Sequence, residues 1–235
     1  MKGNLYLFPV PIGENDINDT IPPNVVKLMN SIEYFIVENT RTARRYLSKA
    51  GIERPIRELT FYELNKHTNP NEIHNYLKPA VNGHHIGLMS EAGCPGVADP
   101  GASITKIAHN TGIRVVPQTG PSSILLSLMA SGMNGQNFAF VGYLPIKKPE
   151  RIKRLRELEN RSQNEKQTQI FIETPYRNMP LLQDIINTCR PNTRLCIAVD
   201  ITLDNEFIAT KTIADWKNNL PEIHKRTAVF LIYSE

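Results

Sequence analysis

Four short segments of the sequence combine residue types that could do chemistry. Each follows an apolar run that predicts a buried strand, and each is rich in glycine, proline or small polar residues: 9–13, 37–41, 90–101 and 117–123. Glycine lets a backbone approach a ligand closely, and proline holds a loop in shape before a ligand arrives. Ligands of α/β proteins bind beyond the carboxyl ends of strands. The segments therefore predict a ligand site, with ordinary tight turns as the alternative.

The second segment carries the groups best suited to acid–base chemistry. Glu38 offers a carboxylate that can act as a general base on a hydroxyl, and Arg41 can hold a phosphate or a carboxylate of a substrate. The alternative is a structural Glu38–Arg41 pair at a helix start. In the third segment, Glu91 and Asp99 are expected to cap or brace their own loop.

Alternating strands and helices must position these segments. Through residue 116, strands are predicted at 5–8, 34–37, 86–89 and 114–116, and helices at 22–30, 42–50, 72–81 and 102–110. This alternation predicts a mostly parallel sheet. Later in the chain, helices are predicted at 120–131, 151–160 and 180–189, and strands at 138–142, 169–173, 195–199, 207–212 and 228–233. The closing strands follow one another, so the second sheet is expected to be mixed or antiparallel. The fold class is α/β, with two domains at 1–117 and 118–235.

Composition and missing motifs exclude several classes of protein. Lys and Arg number 27 against 23 Asp and Glu, and this small excess demands no anionic partner. The three cysteines have no metal-ligand spacing, so no disulfide framework or metal is expected, and a reducing cytoplasm is the predicted location. No GxGxxG, GxxxxGK[ST], GxSxG or HExxH occurs, which disfavours nicotinamide enzymes, P-loop NTPases, α/β hydrolases and zinc proteases. No apolar stretch approaches the roughly 20 residues of a membrane span.

In order and spacing, the segments resemble the tetrapyrrole methylase superfamily, and more narrowly its bacterial branch that methylates a ribose 2′-hydroxyl of 16S ribosomal RNA. The stretches similar to TPIGN, EDTR, SDAGTPGISDPG, VVPxPGPSA, FxGFLP and YExPxR are 10–14, 38–41, 90–101, 115–123, 140–145 and 172–177. The resemblance covers residues 4 to about 178 and thins afterwards. Asn39, Glu91 and Cys94 depart from the pattern, and 200–204 stands where a RELTK-like motif is usual. The branch's small C-terminal domain is expected to be missing.

The resemblance implies a cleft for S-adenosylmethionine between two α/β domains, usually in a homodimer. The residues it assigns to the donor are Ile12, Gly13, Gly93, Cys94, Pro95, Gly96, Val97, Ser122 and Ser123, with Ile172, Glu173, Asp200, Thr227 and Ala228 toward the adenosine. Glu38 and Arg41 are the catalytic candidates. The leading expectation is methylation of RNA in the small ribosomal subunit. The alternatives are methylation of a small acceptor such as a tetrapyrrole, and a donor- or RNA-binding homologue that does not catalyse.

A basic stretch follows segment 140–145 and offers a second route to RNA. Its cations are Lys147, Lys148, Arg151, Lys153, Arg154 and Arg156, interleaved with Glu150, Glu157 and Glu159. Such a stretch could follow an RNA backbone, and the alternative is a solvated helix face.

Overall fold

The first half of the chain forms a sheet of five parallel strands. The computed structural model describes residues 1–14 and 16–235, which divide into two compact units, Met1–Ser122 and Ser123–Glu235. The strands of the first unit are β1 (Leu5–Phe8), β2 (Tyr34–Val37), β3 (Thr60–Glu63), β4 (Ile86–Met89) and β5 (Val115–Pro117), in the order β3-β2-β4-β1-β5. All of their pairings are parallel, as predicted.

Helices and 3-10 turns connect these strands. They are α1 (Ile17–Thr20), α2 (Pro23–Met29), α3 (Thr40–Lys49), α4 (Lys78–Val81) and α5 (Gly101–Asn110), with 3-10 turns at Ile56–Glu58 and Ile73–Leu77. Successive strand residues face opposite sides of the sheet. Phe35 packs with Leu47 on one face, while Ile36 packs with Ile104 on the other. Both faces are covered by apolar side chains, so the strand ends are left for polar groups.

The second unit contains a mixed sheet, as the sequence predicts. Its strands are β6 (Phe138–Tyr143), β7 (Thr168–Ile172), β8 (Arg194–Val199), β9 (Phe207–Thr212) and β10 (Ala228–Tyr233), in the order β6-β7-β10-β8-β9. Strands β6 and β7 are parallel, and the other pairings are antiparallel. The helices are α6 (Ser123–Ser131), α7 (Lys148–Glu165), α8 (Asn178–Thr188) and α9 (Ile213–Trp216), with a 3-10 turn at Pro175–Arg177.

Three of the differences between the structure and the predicted elements have a clear cause in the sequence. Strand β3 is not predicted, because its four residues are only partly buried and carry no apolar run. The helix predicted over 72–81 is a 3-10 turn followed by α4, since Pro79 lacks the amide hydrogen that a continuous helix needs. The helix predicted from residue 120 begins at Ser123, after Pro121. No helix within 1–14 and 16–235 has both the length and the apolar character that crossing a membrane requires.

Candidate functional site

The four segments singled out in the sequence meet at one edge of the first unit's sheet. Strands β1, β2 and β4 are in register, so that Phe8 and Val37 both lie beside Met89 at their carboxyl ends. Beyond that level, the backbones of Val10 and Gly93 exchange two hydrogen bonds, of 3.0 and 3.1 Å. These bonds fasten segment 9–13 to segment 90–101, and side chains attach the other two segments.

Asp99 holds the loop 90–101 in shape. Its carboxylate accepts hydrogen bonds from the amide of Gly96 at 2.8 and 3.0 Å and from the amide of Gly101 at 2.6 Å. Burial raises the pKa of Asp99, although the Gly101 and Gly96 amides act to lower it. The expectation that Asp99 braces its loop is confirmed.

Glycine leaves the backbone of this loop bare where other segments come close. Gly93 has a φ of +70°, and a Cβ there would lie 3.4 Å from Cγ2 of Ile12 and 3.7 Å from the carbonyl oxygen of Pro121. At Gly120, a Cβ would lie 2.2 Å from Cγ of Pro9, so no larger residue fits without displacing the first segment. Gly93 and Gly120 therefore allow the first, third and fourth segments to pack closely together.

Glu38 connects the second segment, to which it belongs, with the third. Its Oε1 accepts a hydrogen bond from the amide of Glu91 at 3.0 Å. Burial raises the pKa of Glu38, and the negative charges of Asp99 and Glu91 add to this rise, whereas the Glu91 amide opposes it. Glu38 also lines a small cavity with Asp99 and Met89. A carboxylate with a raised pKa is a stronger base than a surface glutamate, which suits proton removal.

Arg41 does not pair with Glu38. It lies exposed in the first turn of α3, and the ion pairs found within residues 1–14 and 16–235 do not include a Glu38–Arg41 contact. The structural-pair alternative is therefore wrong. Both side chains stay at the predicted edge, where Glu38 is held by a backbone amide and Arg41 faces solvent.

Asn39, Glu91 and Cys94, which depart from the family pattern, each make a hydrogen bond in the structure. Asn39 caps α3 by accepting from the amides of Arg41 at 2.9 Å and Thr42 at 3.3 Å. Glu91 accepts from the hydroxyl of Thr42 at 2.5 Å. The thiol of Cys94 donates to the carbonyl of Pro121 at 3.4 Å, which attaches the fourth segment. Burial and the charge of Asp99 raise the pKa of Cys94, so this thiol is a poor nucleophile.

The predicted donor residues near these loops differ in exposure. Within the loop 90–101, Pro95 is buried, whereas Val97 is 46% exposed. Ile12 and Gly13 are half-buried. Ser122 closes the first unit, and Ser123 begins α6 in the second, as the prediction of hydroxyls at a helix start requires.

Glu173 is the most notable of the predicted residues in the second unit. It follows Ile172, the last residue of β7, and its side chain is 1% exposed. Its Oε1 accepts from Nε and Nη2 of Arg177, at 3.0 and 2.6 Å, and from the amide of Thr174 at 2.7 Å. Its Oε2 is buried and has no hydrogen-bond partner within the described part of the chain. Buried carboxylate oxygens are rarely left unpaired, so Oε2 fits a hydroxyl or amino group of a ligand.

Asp200 is committed to its own loop. It accepts from the amide and the hydroxyl of Thr227, both at 3.0 Å, from Nε of Arg226 at 2.7 Å and from Asn205 at 2.9 Å. Burial acts to raise the pKa of Asp200, but the bonds from Arg226 and Thr227 outweigh it and the pKa is lowered. These bonds bring Thr227, and Ala228 after it at the start of β10, beside Asp200. Asp200, Thr227 and Ala228 therefore lie together, and the carboxylate of Asp200 already accepts hydrogen bonds from protein groups.

The basic stretch on α7 is largely paired. Arg151 is buried, with Nε and Nη2 donating to Asp184 at 2.8 and 2.6 Å. Lys148 lies 3.6 Å from the same carboxylate, and Arg154 lies 3.2 Å from Glu157. The expectation that this stretch could follow RNA is therefore weakened, because the Arg151 side chain is buried in an ion pair with Asp184.

One polar residue at the site is not predicted from the sequence. Glu63, at the end of β3, accepts a hydrogen bond from the amide of Thr40 at 2.9 Å, which supports the start of α3. The hydrogen bonds from Thr40 lower the pKa of Glu63. The residue is missed because β3 itself is missed, and the short stretch 60–63 gives little signal.

Solved structures with the same fold are tetrapyrrole methylases. The methyltransferase CobJ matches with a TM-score of 0.64 and 17% identity, covering 99% of this chain and 100% of its own. The uroporphyrin-III C-methyltransferase of Thermus thermophilus, solved with S-adenosyl homocysteine, matches with a TM-score of 0.57 and 16% identity, covering 99% of this chain and 98% of its own. At these identities the likeness establishes the fold, which is the predicted one.

Sequence relatives identify the family. No family model matches the chain. Ribosomal RNA small subunit methyltransferase I of Pasteurella multocida is 31% identical over 227 residues, which cover 97% of this chain and 76% of that protein. The protein of the same name from Bacillus subtilis is 35% identical over 175 residues, 74% of this chain and 56% of that protein. The chain belongs to the family of ribosomal RNA small subunit methyltransferase I.

Proposed function

We propose that the chain transfers a methyl group from S-adenosylmethionine to a ribose 2′-hydroxyl of 16S ribosomal RNA. The observation that carries this proposal is Glu38, a carboxylate with a raised pKa held 3.0 Å from the Glu91 amide beside the glycine loop. The relatives' printed name supports RNA of the small ribosomal subunit as the substrate. A hydroxyl acceptor needs a base, and the site offers one.

The donor contacts are proposed from the loops. The segment from Gly93 to Val97, with Ile12 and Gly13, would bind the methionine and sulfonium part. The Oε2 of Glu173, which has no hydrogen-bond partner among the described residues, would accept a hydrogen bond from the adenosine part. When bound, S-adenosylmethionine supplies a methyl group already activated by its sulfonium, so that alignment of the acceptor oxygen provides much of the rate enhancement.

Glu38 would remove the proton of the attacking hydroxyl. The hydroxyl proton would move to a lone pair of the carboxylate as the ribose oxygen bonds to the methyl carbon, while the bond from that carbon to sulfur breaks and S-adenosylhomocysteine leaves. The Glu91 amide keeps the carboxylate oriented. Arg41, three residues later and exposed, would hold a phosphate next to the target ribose.

Transfer of labelled methyl groups tests the proposal. The protein is incubated with methyl-tritiated S-adenosylmethionine and purified small ribosomal subunits, and nuclease digestion locates the label. We expect a 2′-O-methylated nucleotide in 16S ribosomal RNA, and a loss of about 10²–10⁴-fold in rate for Glu38→Gln. Asp204→Asn, an exposed carboxylate change outside the site, serves as the control. Absence of transfer to any RNA would refute the function.

The same assay separates the alternatives. The fold shared with uroporphyrin-III C-methyltransferase favours a tetrapyrrole as the second candidate acceptor. Label in a uroporphyrinogen and none in RNA would establish it. A homologue without activity would bind the donor, measured by calorimetry, and transfer to neither. Asn39, Glu91 and Cys94 each make a hydrogen bond that connects parts of the site, which argues against a decayed site.

We also propose a homodimer in the cytoplasm. The relatives act on ribosomal RNA by name, which supports a cytoplasmic location. Several apolar side chains of the second unit are exposed, among them Met129 at 77% and Tyr143 at 55%, and a second copy could cover them. Sedimentation at micromolar concentration would give twice the mass of 26.6 kDa if the proposal holds.

A further inference from the structure

Helix α3 carries an unusual row of cations. Its ten residues include Arg41, Arg44, Arg45 and Lys49, and no aspartate or glutamate. All four cations are exposed. Arg41, Arg45 and Lys49 follow one another at intervals of four residues, so they share one side of the helix and span about 12 Å along it. We call these three residues the α3 row.

The α3 row points away from the interior of the first unit. Ala43 and Leu47 are the buried residues of the helix and pack into the core. A position two residues from each of them is turned by about 200°, which places Arg45 and Lys49 on the opposite side. The row is therefore a surface feature that the fold itself does not use.

The cations of the row have no acidic partner in the described part of the chain. The ion pairs found there involve other residues. Arg44, beside the row, lies with its guanidinium 5.3 Å from the centre of the Phe61 ring, so a ring rather than a carboxylate accompanies it. The acids near the start of the helix are already engaged: Glu63 binds the Thr40 amide and Glu91 binds the Thr42 hydroxyl.

Helix α7 provides the contrast. It is also rich in cations, yet Lys148 and Arg151 reach Asp184, Arg154 reaches Glu157 and Arg161 reaches Glu165. Pairing of this kind stabilises a helix, whereas like charges four residues apart destabilise it. Arg41 also lies in the first helical turn, where the helix dipole disfavours a cation. The dipole favours Lys49, in the last turn, but no acidic residue of the helix offsets the repulsion along the row or the position of Arg41, as is expected of a surface used for binding.

We propose that the α3 row binds consecutive phosphates of the RNA strand that carries the target ribose. This inference rests on the proposed function and adds the surface that holds the substrate. The helix begins two residues after Glu38, so the row extends from the proposed base along the surface. Three cations on one rigid helix, with no acidic partner among residues 1–14 and 16–235, suit a polyanion, because each phosphate neutralised releases counterions.

Charge-removing variants with a matched control test the row. Arg45→Gln with Lys49→Gln removes two charges from the row and leaves Arg41, the catalytic candidate, in place. Lys153→Gln with Arg156→Gln removes two exposed charges from α7 and is the control. Binding to purified small ribosomal subunits is measured between 50 and 200 mM salt, together with methyl transfer and donor affinity.

We expect the α3 variant to bind the subunits at least about tenfold more weakly at 150 mM salt. The slope of log affinity against log salt should fall by about 1.4, or about 0.7 for each phosphate that is no longer neutralised. The KM for subunits should rise while kcat and donor affinity stay unchanged, and the melting temperature should not fall. The control should match the parent protein in every measurement.

The possible results distinguish failure of the α3 row from failure of the proposed RNA methylation. Parent protein that methylates RNA, with an α3 variant no different from the control, overturns the α3 row alone. Parent protein that neither binds nor methylates RNA overturns both. A weaker α3 variant with a lower melting temperature would be compared with Arg45→Lys, which keeps the charge; failure of this variant to restore binding would also overturn the inference.

Discussion

Glu38 owes its basicity to its neighbours as well as to burial. Asp99 and Glu91 each raise its pKa, and each also has a structural hydrogen bond, to loop amides in one case and to Thr42 in the other. The carboxylates that shape the loop therefore also tune the proposed base. Asp99 and Glu91 thus act both through a hydrogen bond and through their negative charge. A substitution that preserves the hydrogen bond while removing the charge can separate the two effects.

Glu91→Gln is such a substitution. Its amide oxygen can still accept from Thr42, but its negative charge near Glu38 is lost. The proposed base must be ionised, so kcat/KM falls as the pH falls through the raised pKa of Glu38. We expect the inflection for Glu91→Gln to lie at lower pH, because one of the negative charges that raise the pKa of Glu38 is gone.

The measurement is a pH–rate profile of methyl transfer to small ribosomal subunits. Asp204→Asn changes the same formal charge at an exposed position of the second unit and should leave the inflection unmoved. An inflection that stays in place in Glu91→Gln, or moves to higher pH, would contradict the role of Glu38 as the titrating base.

At the scale of elements, Asp99 is the side chain that braces the second half of the loop 90–101. Asp99 is the acceptor for two amides at opposite ends of a turn that includes Gly96 and Gly101. A loop held in one shape loses less conformational entropy when a ligand binds. The predicted donor contacts at Gly93 to Val97 lie in the same loop, so its order should appear in the affinity for the donor.

Asp99→Asn weakens this brace, because an amide side chain has a single acceptor oxygen and adds two hydrogens that the loop does not need. We expect the dissociation constant for S-adenosylmethionine to rise about tenfold, equivalent to about 1.4 kcal/mol. Calorimetric titration measures it, with Asp204→Asn again as the control. Donor affinity equal to that of the parent would show that the loop does not hold the donor.

On the scale of the whole molecule, the sequence predicts most of the fold and only part of the site. Apolar strands such as 34–37 and 86–89 are recognisable because burial on both faces leaves continuous apolar runs. Strand β3 has no such run, and Glu63 is lost with it. Arg151 is buried because it pairs with Asp184, 33 residues away, and no local pattern in the sequence reveals that pairing. The predicted domain boundary at 117/118 stays a prediction.

The proposed donor residues belong to both units, and amide hydrogen exchange can test this directly. Gly93 to Val97 lie in the first unit, and Ile172, Glu173 and Ala228 lie in the second. Donor at 100 times its dissociation constant stabilises a site by about 2.7 kcal/mol, so exchange that requires opening of that site should slow about 100-fold. We expect this protection in peptides covering 93–97, 171–174 and 227–229. The amides of β9, which contains no proposed donor residue, serve as the internal control. Protection confined to the first unit would remove Glu173 and Ala228 from the donor site. The Oε2 of Glu173, unpaired within the part of the chain that the structure describes, would then need another ligand as its hydrogen-bond donor.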